Sequence, residues 1–390
     1  MRKTSVARSV SLNLIFFCLI CGIVNWSDKT QFGYLKYGQL TQGVSARPLA
    51  EVNSYAQDTG SSPSKEENPG HFKSIHVGKT REPVVAENCS WSEGEIERNR
   101  KKISFISSID GTEQNAFLIS PNRLTGEEAF LVVSLHSWSS DLNQRNELEK
   151  LVFERGWYYL FPDFRGPNQR PEACGSRIAQ QDILDALDYA LKQLSLSPSN
   201  VLLTGTSGGG HMTMLMAGLY PDRWRAACSW VGISDLVDWH QKHSGTRYGN
   251  MMEKSCGGSP GSSPMIDREY QNRSPIHFIS AAKQIPMAFF AGVHDGHQGS
   301  VPISQSIRAF NAICVANGDS VVSESEIAEL SAVNGRLLLP RLSDLGFDNA
   351  IQRDYYLLRR SGLAQLMIFE GGHEGIAAGT MDWFDRVLSN

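Results

Sequence analysis

Short apolar runs alternate with segments of helical spacing over most of the chain. Six runs have the composition of buried strands; they are residues 129–135, 157–161, 201–203, 226–233, 285–291 and 365–369. Residues 178–194 and 381–388 instead carry apolar side chains at helical spacing. Strands that alternate with helices predict an α/β fold, with a mostly parallel central sheet and helices on both of its faces.

An antiparallel hairpin is predicted at one edge of this sheet. Residues 103–106 and 116–119 are strand-like and flank the turn signal Asp110-Gly111. Two strand-like runs joined by such a turn favour an antiparallel pair. The sheet should therefore begin with a hairpin before its parallel part.

A second hairpin is predicted near the C-terminus. Residues 355–359 and 365–369 flank Ser361-Gly362, a turn signal. This hairpin would support the last strand from its outer side. The alternative is that 355–359 continue a helix from Asn349, which their composition would also tolerate.

Residues 1–26 have the pattern of an export signal. Arg2, Lys3 and Arg8 precede an apolar run at 12–24. That run is short for a membrane span, which needs about 20 residues. The alternative is an uncleaved membrane anchor. The predicted location is outside the cytoplasm, as a secreted, periplasmic or membrane-anchored protein.

Residues 27–94 contain few apolar clusters, and their stretch 57–70 is polar and rich in glycine and serine. This composition predicts a flexible segment. We expect one folded domain over 95–390. The chain has 390 residues and a net charge of −4, so nothing in its charge favours nucleic acid as a partner.

The cysteine count allows disulfides without requiring them. Of seven cysteines, Cys18 and Cys21 lie in the N-terminal segment. The odd number that remains leaves at least one thiol unpaired. Cys228 lies in an apolar run and is predicted to be a buried free thiol.

The motif around which the chain is organised follows the run at 201–203. It reads Gly205-Thr206-Ser207-Gly208-Gly209, a G-x-S-x-G sequence between a predicted strand and a predicted helix. In that context the serine occupies a sharp, strained turn, and its hydroxyl is exposed at the edge of the sheet. The helix N-terminus behind it presents free N–H groups to a developing oxyanion. The alternative is a plain glycine-rich turn.

A serine nucleophile needs a base, and the base needs an orienting carboxylate. His373 and Asp295 each follow a predicted strand directly, at the same edge of the sheet as Ser207. The chain order serine, aspartate, histidine is that of the α/β-hydrolase arrangement. We therefore expect Ser207 as nucleophile, His373 as base and Asp295 as acid. Asp235 and Asp238, which follow the preceding strand, are the rivals of Asp295.

Two backbone N–H groups are expected to bind the oxyanion. One belongs to Gly208, the residue after the nucleophile. The other should come from the loop after the run at 129–135, where we choose Trp138 with Ser137 as the alternative.

The segment 239–276 is expected to form a cap over the site. It is polar and glycine-rich, which argues against regular elements, and it lies between two strands. We expect Trp239, His240 and Tyr248 to line the substrate pocket, together with His297. The alternative is a solvated surface loop.

His294, Asp295 and His297 also suggest a metal site, because H-D-x-H places three ligand types close together. Glycine-rich loops often carry such residues without metal, and no further cluster of cysteine or histidine accompanies them. We predict no metal and no cofactor.

From about residue 129 onward the sequence resembles the catalytic domain of the prolyl oligopeptidase family, within the α/β-hydrolases. The segments that carry the resemblance are 161–166 (FPDFRG), 181–186 (QDILDA), the Ser207 turn, 273–275 (RSP), Asp295-Gly296, 301–305 (VPISQ) and 372–374 (GHE). The resemblance implies the α/β-hydrolase fold and the same three roles for Ser207, Asp295 and His373.

The sequence departs from this family in three places. The portion before the domain is too short for the family's β-propeller, and the oxyanion loop reads HSW in place of a histidine followed by glycines. A long insertion at about 316–364 precedes the last strand. Because these departures weaken a peptidase assignment, we expect a serine hydrolase with ester slightly favoured over peptide.

The expected substrates are a small ester, an acylated saccharide or a peptide. No nucleic-acid partner is expected, and contact with a membrane is expected only through the N-terminal anchor. A non-enzymatic surface module that binds through the same fold is the alternative function.

Overall fold

The computed structural model describes residues 93–122 and 129–389. Over these residues the chain forms a ten-stranded sheet. The strands are β1 (Arg100–Ile106), β2 (Glu113–Ile119), β3 (Leu131–Leu135), β4 (Tyr158–Pro162), β5 (Val201–Thr206), β6 (Ala226–Trp230), β7 (Met287–Gly292), β8 (Gly346–Asp348), β9 (Arg353–Ser361) and β10 (Ala364–Phe369). Their order across the sheet is β1-β2-β4-β3-β5-β6-β7-β10-β9-β8.

The centre of the sheet is parallel and both of its edges are antiparallel. Strands β4, β3, β5, β6, β7 and β10 pair in parallel. The pairs β1–β2 and β2–β4 are antiparallel at one edge, and β10–β9 and β9–β8 at the other. The predicted mostly parallel sheet and its opening hairpin are thus confirmed.

Helices cover both faces of this sheet, as predicted. They are α1 (Glu93–Asn99), α2 (Leu148–Glu154), α3 (Arg177–Leu194), α4 (Gly208–Leu219), α5 (Leu236–His243), α6 (Arg247–Cys256), α7 (Pro264–Arg273), α8 (Ser304–Asn317), α9 (Glu324–Leu330) and α10 (Ala377–Leu388). Neighbouring strand residues point to opposite faces. Accordingly, Val133 and Leu203 pack with α3, α4 and α8, whereas Val132 and Leu202 pack with α2 and α10.

The C-terminal hairpin is confirmed, and the alternative of a helix over 355–359 is wrong. Strand β9 pairs with β10 in antiparallel register, with Leu357 opposite Ile368. Gly362 has a φ of 53° at the turn, a conformation that glycine adopts without steric strain. Since β10 lies between β7 and β9, the strand that precedes His373 is supported on both sides.

The expectation that 239–276 lacks regular elements is wrong. Helices α5, α6 and α7 occupy most of this segment. Their N-termini are capped by the side chains of Asp235, Thr246 and Ser263, which accept hydrogen bonds from backbone N–H groups. The glycines that argued against helices lie mainly between α6 and α7, where Gly257 and Gly261 have positive φ. The segment thus has local helix signals that its polar composition obscured.

The predicted export segment, 1–26, lies outside the described residues, as does nearly all of the predicted flexible segment, 27–94. The first described helix begins at Glu93. Among the helices of the described ranges, none is long and apolar enough to cross a membrane. Four cysteines of these ranges, Cys228 among them, are buried free thiols, which confirms the prediction for Cys228.

Candidate active site

The turn between β5 and α4 holds Ser207 in a strained conformation. Its φ is 61° and its ψ is −117°, a region that non-glycine residues rarely occupy. Its N–H donates a 2.9 Å hydrogen bond to the carbonyl of Trp230, and its carbonyl accepts one of 2.9 Å from the N–H of His211. Strand β6 and the first turn of α4 therefore fix the backbone of this serine from both sides.

Glycines next to Ser207 are required by close backbone approach. A methyl group at Gly205 would overlap the backbone of Gly209, and one at Gly209 would overlap the carbonyl oxygen of Leu135. Any side chain at these positions would push β5, α4 and the end of β3 apart. The G-x-S-x-G pattern therefore has a packing reason in this chain.

The structure brings Ser207, His373 and Asp295 together in one hydrogen-bonded chain. The Oγ of Ser207 lies 2.9 Å from Nε2 of His373. The Nδ1 of His373 lies 2.7 Å from Oδ2 of Asp295. His373 and Asp295 follow β10 and β7, which are paired in parallel, so the two loops emerge side by side.

Asp295 is enclosed by its own loop. Its side chain is only 1% exposed. Its Oδ1 accepts hydrogen bonds from the N–H groups of Gly296 at 2.9 Å and Val301 at 3.0 Å, which leaves Oδ2 for His373. These bonds hold the carboxylate in one orientation, as an orienting acid requires.

The rival carboxylates face other partners. Asp235 caps α5 by accepting from the N–H groups of Val237 and Asp238. Asp238 accepts a 2.6 Å hydrogen bond from Nε2 of Gln305. The geometry thus favours Asp295 over both for contact with His373.

The predicted oxyanion donors lie next to each other. A methyl group at Gly208 would overlap the backbone nitrogen of Trp138, so the two backbones are in close contact beside Ser207. The alternative donor, the N–H of Ser137, instead donates to Oε1 of Gln144 at 2.8 Å. Of the two, Trp138 has the geometry of a partner for Gly208.

The side chain of Trp138 packs against other aromatic rings. It is buried and contacts Trp239 edge-to-face, with ring centroids 4.6 Å apart, and His211 at 5.5 Å. Trp239 is also buried and contacts Tyr248 at 5.3 Å. Two of the predicted pocket residues, Trp239 and Tyr248, therefore belong to an aromatic cluster that adjoins the oxyanion loop.

The other two predicted pocket residues contact partners of their own. His240 is buried, and its Nε2 lies 2.8 Å from Oε1 of Glu253. The Nε2 of His297 donates to the carbonyl of Ser331 at 2.8 Å. This bond connects the loop between β7 and α8, which carries Asp295 and is called the acid loop below, to the segment between α9 and β8. The contact of His240 joins α5 to α6, and that of His297 joins two loops.

The three residues that suggested a metal site face different partners. Nε2 of His294 lies 2.6 Å from Glu370, Asp295 faces His373, and His297 faces Ser331. Within residues 93–122 and 129–389, no group of three or more His, Cys, Asp or Glu side chains could hold a metal ion.

Two neighbours of His373, Gly299 and Ser300, were not predicted as site residues. A methyl group at Gly299 would overlap Oδ1 of Asp295 and crowd Cβ of His373. The Oγ of Ser300 lies 3.4 Å from Nε2 of His373. Their position directly before Val301-Pro302 was the available signal, since that segment was already part of the family resemblance.

His211 is a buried histidine whose ring contacts Trp138. Burial lowers its pKa to about 4, against about 6.5 in an unfolded chain. Nε2 donates to the carbonyl of Arg273 at 2.7 Å. Among the described residues its buried Nδ1 has no hydrogen-bond partner. A second proton would therefore be placed in an apolar site beside a cationic side chain.

His211→Gln is expected to make the protein less sensitive to acid. As the pH falls from about 6.5 to 4, the unfolded chain takes up a proton at His211 and the folded chain does not, so stability present above pH 6.5 is lost. Glutamine can still donate to Arg273 but does not titrate. The slope of unfolding free energy against pH should fall by up to about 1.4 kcal/mol per pH unit in this window. Urea unfolding at several pH values measures it, and equal slopes would contradict the expectation.

Residues 145–323 match the model of the prolyl oligopeptidase family. The described domain has the α/β-hydrolase fold and resembles the catalytic domain of that family.

Curated relatives fall into two kinds. Acylamino-acid-releasing enzyme 2 of Oryza sativa subsp. japonica is 26% identical over 220 residues, which are 52% of this chain and 27% of the relative. An acetylxylan esterase of Coprinopsis cinerea is 44% identical over 52 residues, which are 13% of this chain and 14% of the relative. The chain thus spans about a quarter of the length of the acylamino-acid-releasing enzyme that it matches.

Solved structures are similar over part of the chain. Pyrococcus horikoshii acylaminoacyl peptidase is 21% identical with a TM-score of 0.46, over 58% of this chain and 37% of that one. A puromycin-hydrolyzing peptidase of Mycobacterium tuberculosis is 18% identical with a TM-score of 0.48, over 74% of this chain and 38% of that one.

Proposed function

We propose that this chain is a serine hydrolase that cleaves an ester or peptide-type bond through an acyl-enzyme. The observation that carries the proposal is the hydrogen-bonded chain from Ser207 through His373 to the buried Asp295. The strained turn at Ser207 supports it, because such strain is typical of functional sites. The family match is consistent with the same chemistry.

In the first half of the reaction, Ser207 attacks the substrate carbonyl and His373 takes its proton. Asp295 holds the imidazole with its Nδ1 proton toward the carboxylate and stabilises the imidazolium that forms. His373 then protonates the leaving group, which departs and leaves the acyl group on Ser207. In the second half, water attacks the acyl carbon and the same proton transfers run in reverse order.

The negative charge of each tetrahedral intermediate develops on the former carbonyl oxygen. The N–H groups of Gly208 and Trp138 are the proposed donors to this oxygen, since their backbones meet beside Ser207. The start of α4 adds the positive end of the helix dipole at the same place. Each donor of this kind contributes about 10²- to 10³-fold to kcat.

We favour an ester as the substrate, either a small ester or an acylated saccharide. The local match to an acetylxylan esterase supports this choice. A peptide with an acylated N-terminus is the second candidate, since the longer match is to an acylamino-acid-releasing enzyme. Export from the cytoplasm, inferred from the first 26 residues, forms part of the proposal.

A fluorophosphonate probe and a substrate panel test this function. We expect the probe to form one covalent adduct on Ser207, located by peptide mass spectrometry, and short aryl esters to be hydrolysed faster than aminoacyl anilides. Absence of the adduct together with absence of turnover would favour the non-enzymatic binding module. Turnover of an aminoacyl anilide, with none of the esters, would overturn the ester assignment and keep the hydrolase.

A further inference from the structure

His373 has a second hydroxyl group at its reactive nitrogen. Nε2 lies 2.9 Å from Oγ of Ser207 and 3.4 Å from Oγ of Ser300. An imidazole nitrogen has one in-plane site for a proton or a lone pair. All groups that exchange protons with Nε2 therefore approach from one side, and Ser300 Oγ is within hydrogen-bond distance of the same nitrogen.

The backbone of Ser300 is held independently of its hydroxyl. Its carbonyl accepts hydrogen bonds from Nε1 of Trp239 at 2.9 Å and from Nε2 of His243 at 2.7 Å. Both donors lie on α5. These bonds hold the backbone of Ser300 without the hydroxyl, which contacts Nε2 of His373.

The two residues that flank Ser300 in the sequence both contact Asp295. The N–H of Val301 donates to Oδ1 of Asp295 at 3.0 Å. Gly299 is packed so closely against Asp295 and His373 that a methyl group there would overlap the carboxylate. Helix α5 and the acid loop thus hold the backbone of Ser300 beside His373.

We propose that the Ser300 hydroxyl positions the water that hydrolyses the acyl-enzyme. This inference rests on the proposed function. A water that is deprotonated by Nε2 must lie about 2.6–3.2 Å from it, which makes the water a neighbour of Ser300 Oγ. The water then donates one hydrogen bond to Nε2 and the other to Ser300, so that a lone pair faces the acyl carbon.

The water oxygen forms a bond with the acyl carbon while one of its protons moves to Nε2. The tetrahedral intermediate collapses by breaking the bond between the carbon and Ser207 Oγ, and Oγ takes the proton back from Nε2. Ser300 accepts a hydrogen bond throughout and neither gains nor loses a proton.

This role predicts a difference between the two halves of the reaction. Acylation uses Ser207 as the nucleophile, so it does not need a positioned water. Methanol as an alternative nucleophile has a single hydroxyl proton, which it donates to Nε2, and has none for Ser300. Removing the Ser300 hydroxyl should therefore slow hydrolysis of the acyl-enzyme more than its methanolysis or its formation.

The test compares Ser300→Ala with the wild type on a short aryl ester, in water and in dilute methanol. We expect the ratio of methyl ester to free acid to rise about tenfold, kcat for hydrolysis to fall by a similar factor when deacylation limits it, and kcat/KM to stay within about twofold. Ser300→Thr, which keeps a hydroxyl, should return the ratio toward the wild-type value.

Ser331→Ala is the matched control. The Ser331 carbonyl also accepts a hydrogen bond from a histidine, His297, so the two serines share a backbone role. The control should leave the product ratio unchanged. The melting temperature shows whether Ser300→Ala is folded, and Ser300→Gly removes the same hydroxyl if the alanine variant is not folded.

An unchanged product ratio in a labelled, folded Ser300→Ala protein would overturn the proposal. Equal losses in hydrolysis, methanolysis and kcat/KM would overturn it as well, because they would show that Ser300 only orients His373. Failure of the wild type to be labelled at Ser207 would instead reject the proposed function itself, so the two failures are distinguishable.

Discussion

Ser207→Ala is expected to lower kcat by about 10⁴-fold or more and to abolish labelling by a fluorophosphonate. Alanine has no nucleophile, and no acyl-enzyme can then form. The residual rate would come from the oxyanion donors and substrate binding, which remain. Steady-state hydrolysis of a short aryl ester and intact-mass measurement after probe treatment give the two readouts.

Ser229→Ala serves as the control for this substitution. Ser229 is buried on the adjacent strand β6, and its hydroxyl donates to the carbonyl of Gly210 in α4 at 3.1 Å. Losing that bond should lower stability by about 1 kcal/mol and leave labelling intact. Labelling that persists in Ser207→Ala would show that another residue is the nucleophile.

Asp295→Asn is expected to lower kcat by about 10³- to 10⁴-fold. The amide oxygen would keep the two backbone N–H bonds from Gly296 and Val301, which turns the amide NH₂ toward Nδ1 of His373. Nδ1 must then accept, so the ring proton moves to Nε2. Since that nitrogen could no longer take the proton of Ser207, the nucleophile would lose its base.

Asp235→Asn is the matched change at the rival carboxylate. Asparagine caps a helix about as well as aspartate, so α5 should keep its N-cap and both kcat and melting temperature should stay near wild-type values. A kcat for Asp295→Asn within about tenfold of wild type would contradict the role of Asp295 as the orienting acid. A large loss of kcat in Asp235→Asn would instead support Asp235 as the orienting acid.

Much of the fold was predictable because its signals are local. The apolar runs that became β3, β4, β5, β6, β7 and β10 are buried on both faces, and a strand in that position reads as a continuous apolar run. The two hairpins likewise carry their turn residues between the paired strands. The segment 239–276 was interpreted wrongly because its helices bury only one side against the core, so polar residues dominate its composition.

In the candidate site, too, features with a local sequence signal were predictable and others were not. The turn at Ser207 is recognisable from five consecutive residues, since its glycines are required by backbone contacts within a few residues and with neighbouring strands. The residue types and their chain order likewise suggested Asp295 and His373. By contrast, the one sequence signal for Ser300 is its position before Val301-Pro302, because a serine in a glycine-rich loop is ordinary.

The sequence by itself therefore determined the strand and helix alternation, the strained serine turn and the set of candidate acids and bases. Only the tertiary structure decided which of three aspartates meets His373, whether Trp138 or Ser137 adjoins Gly208, and that Ser300 reaches Nε2. The physical reason is distance along the chain. His373 meets Asp295 across 78 residues and Ser207 across 166, and contacts of that span depend on how the strands order and pair, which no local pattern specifies.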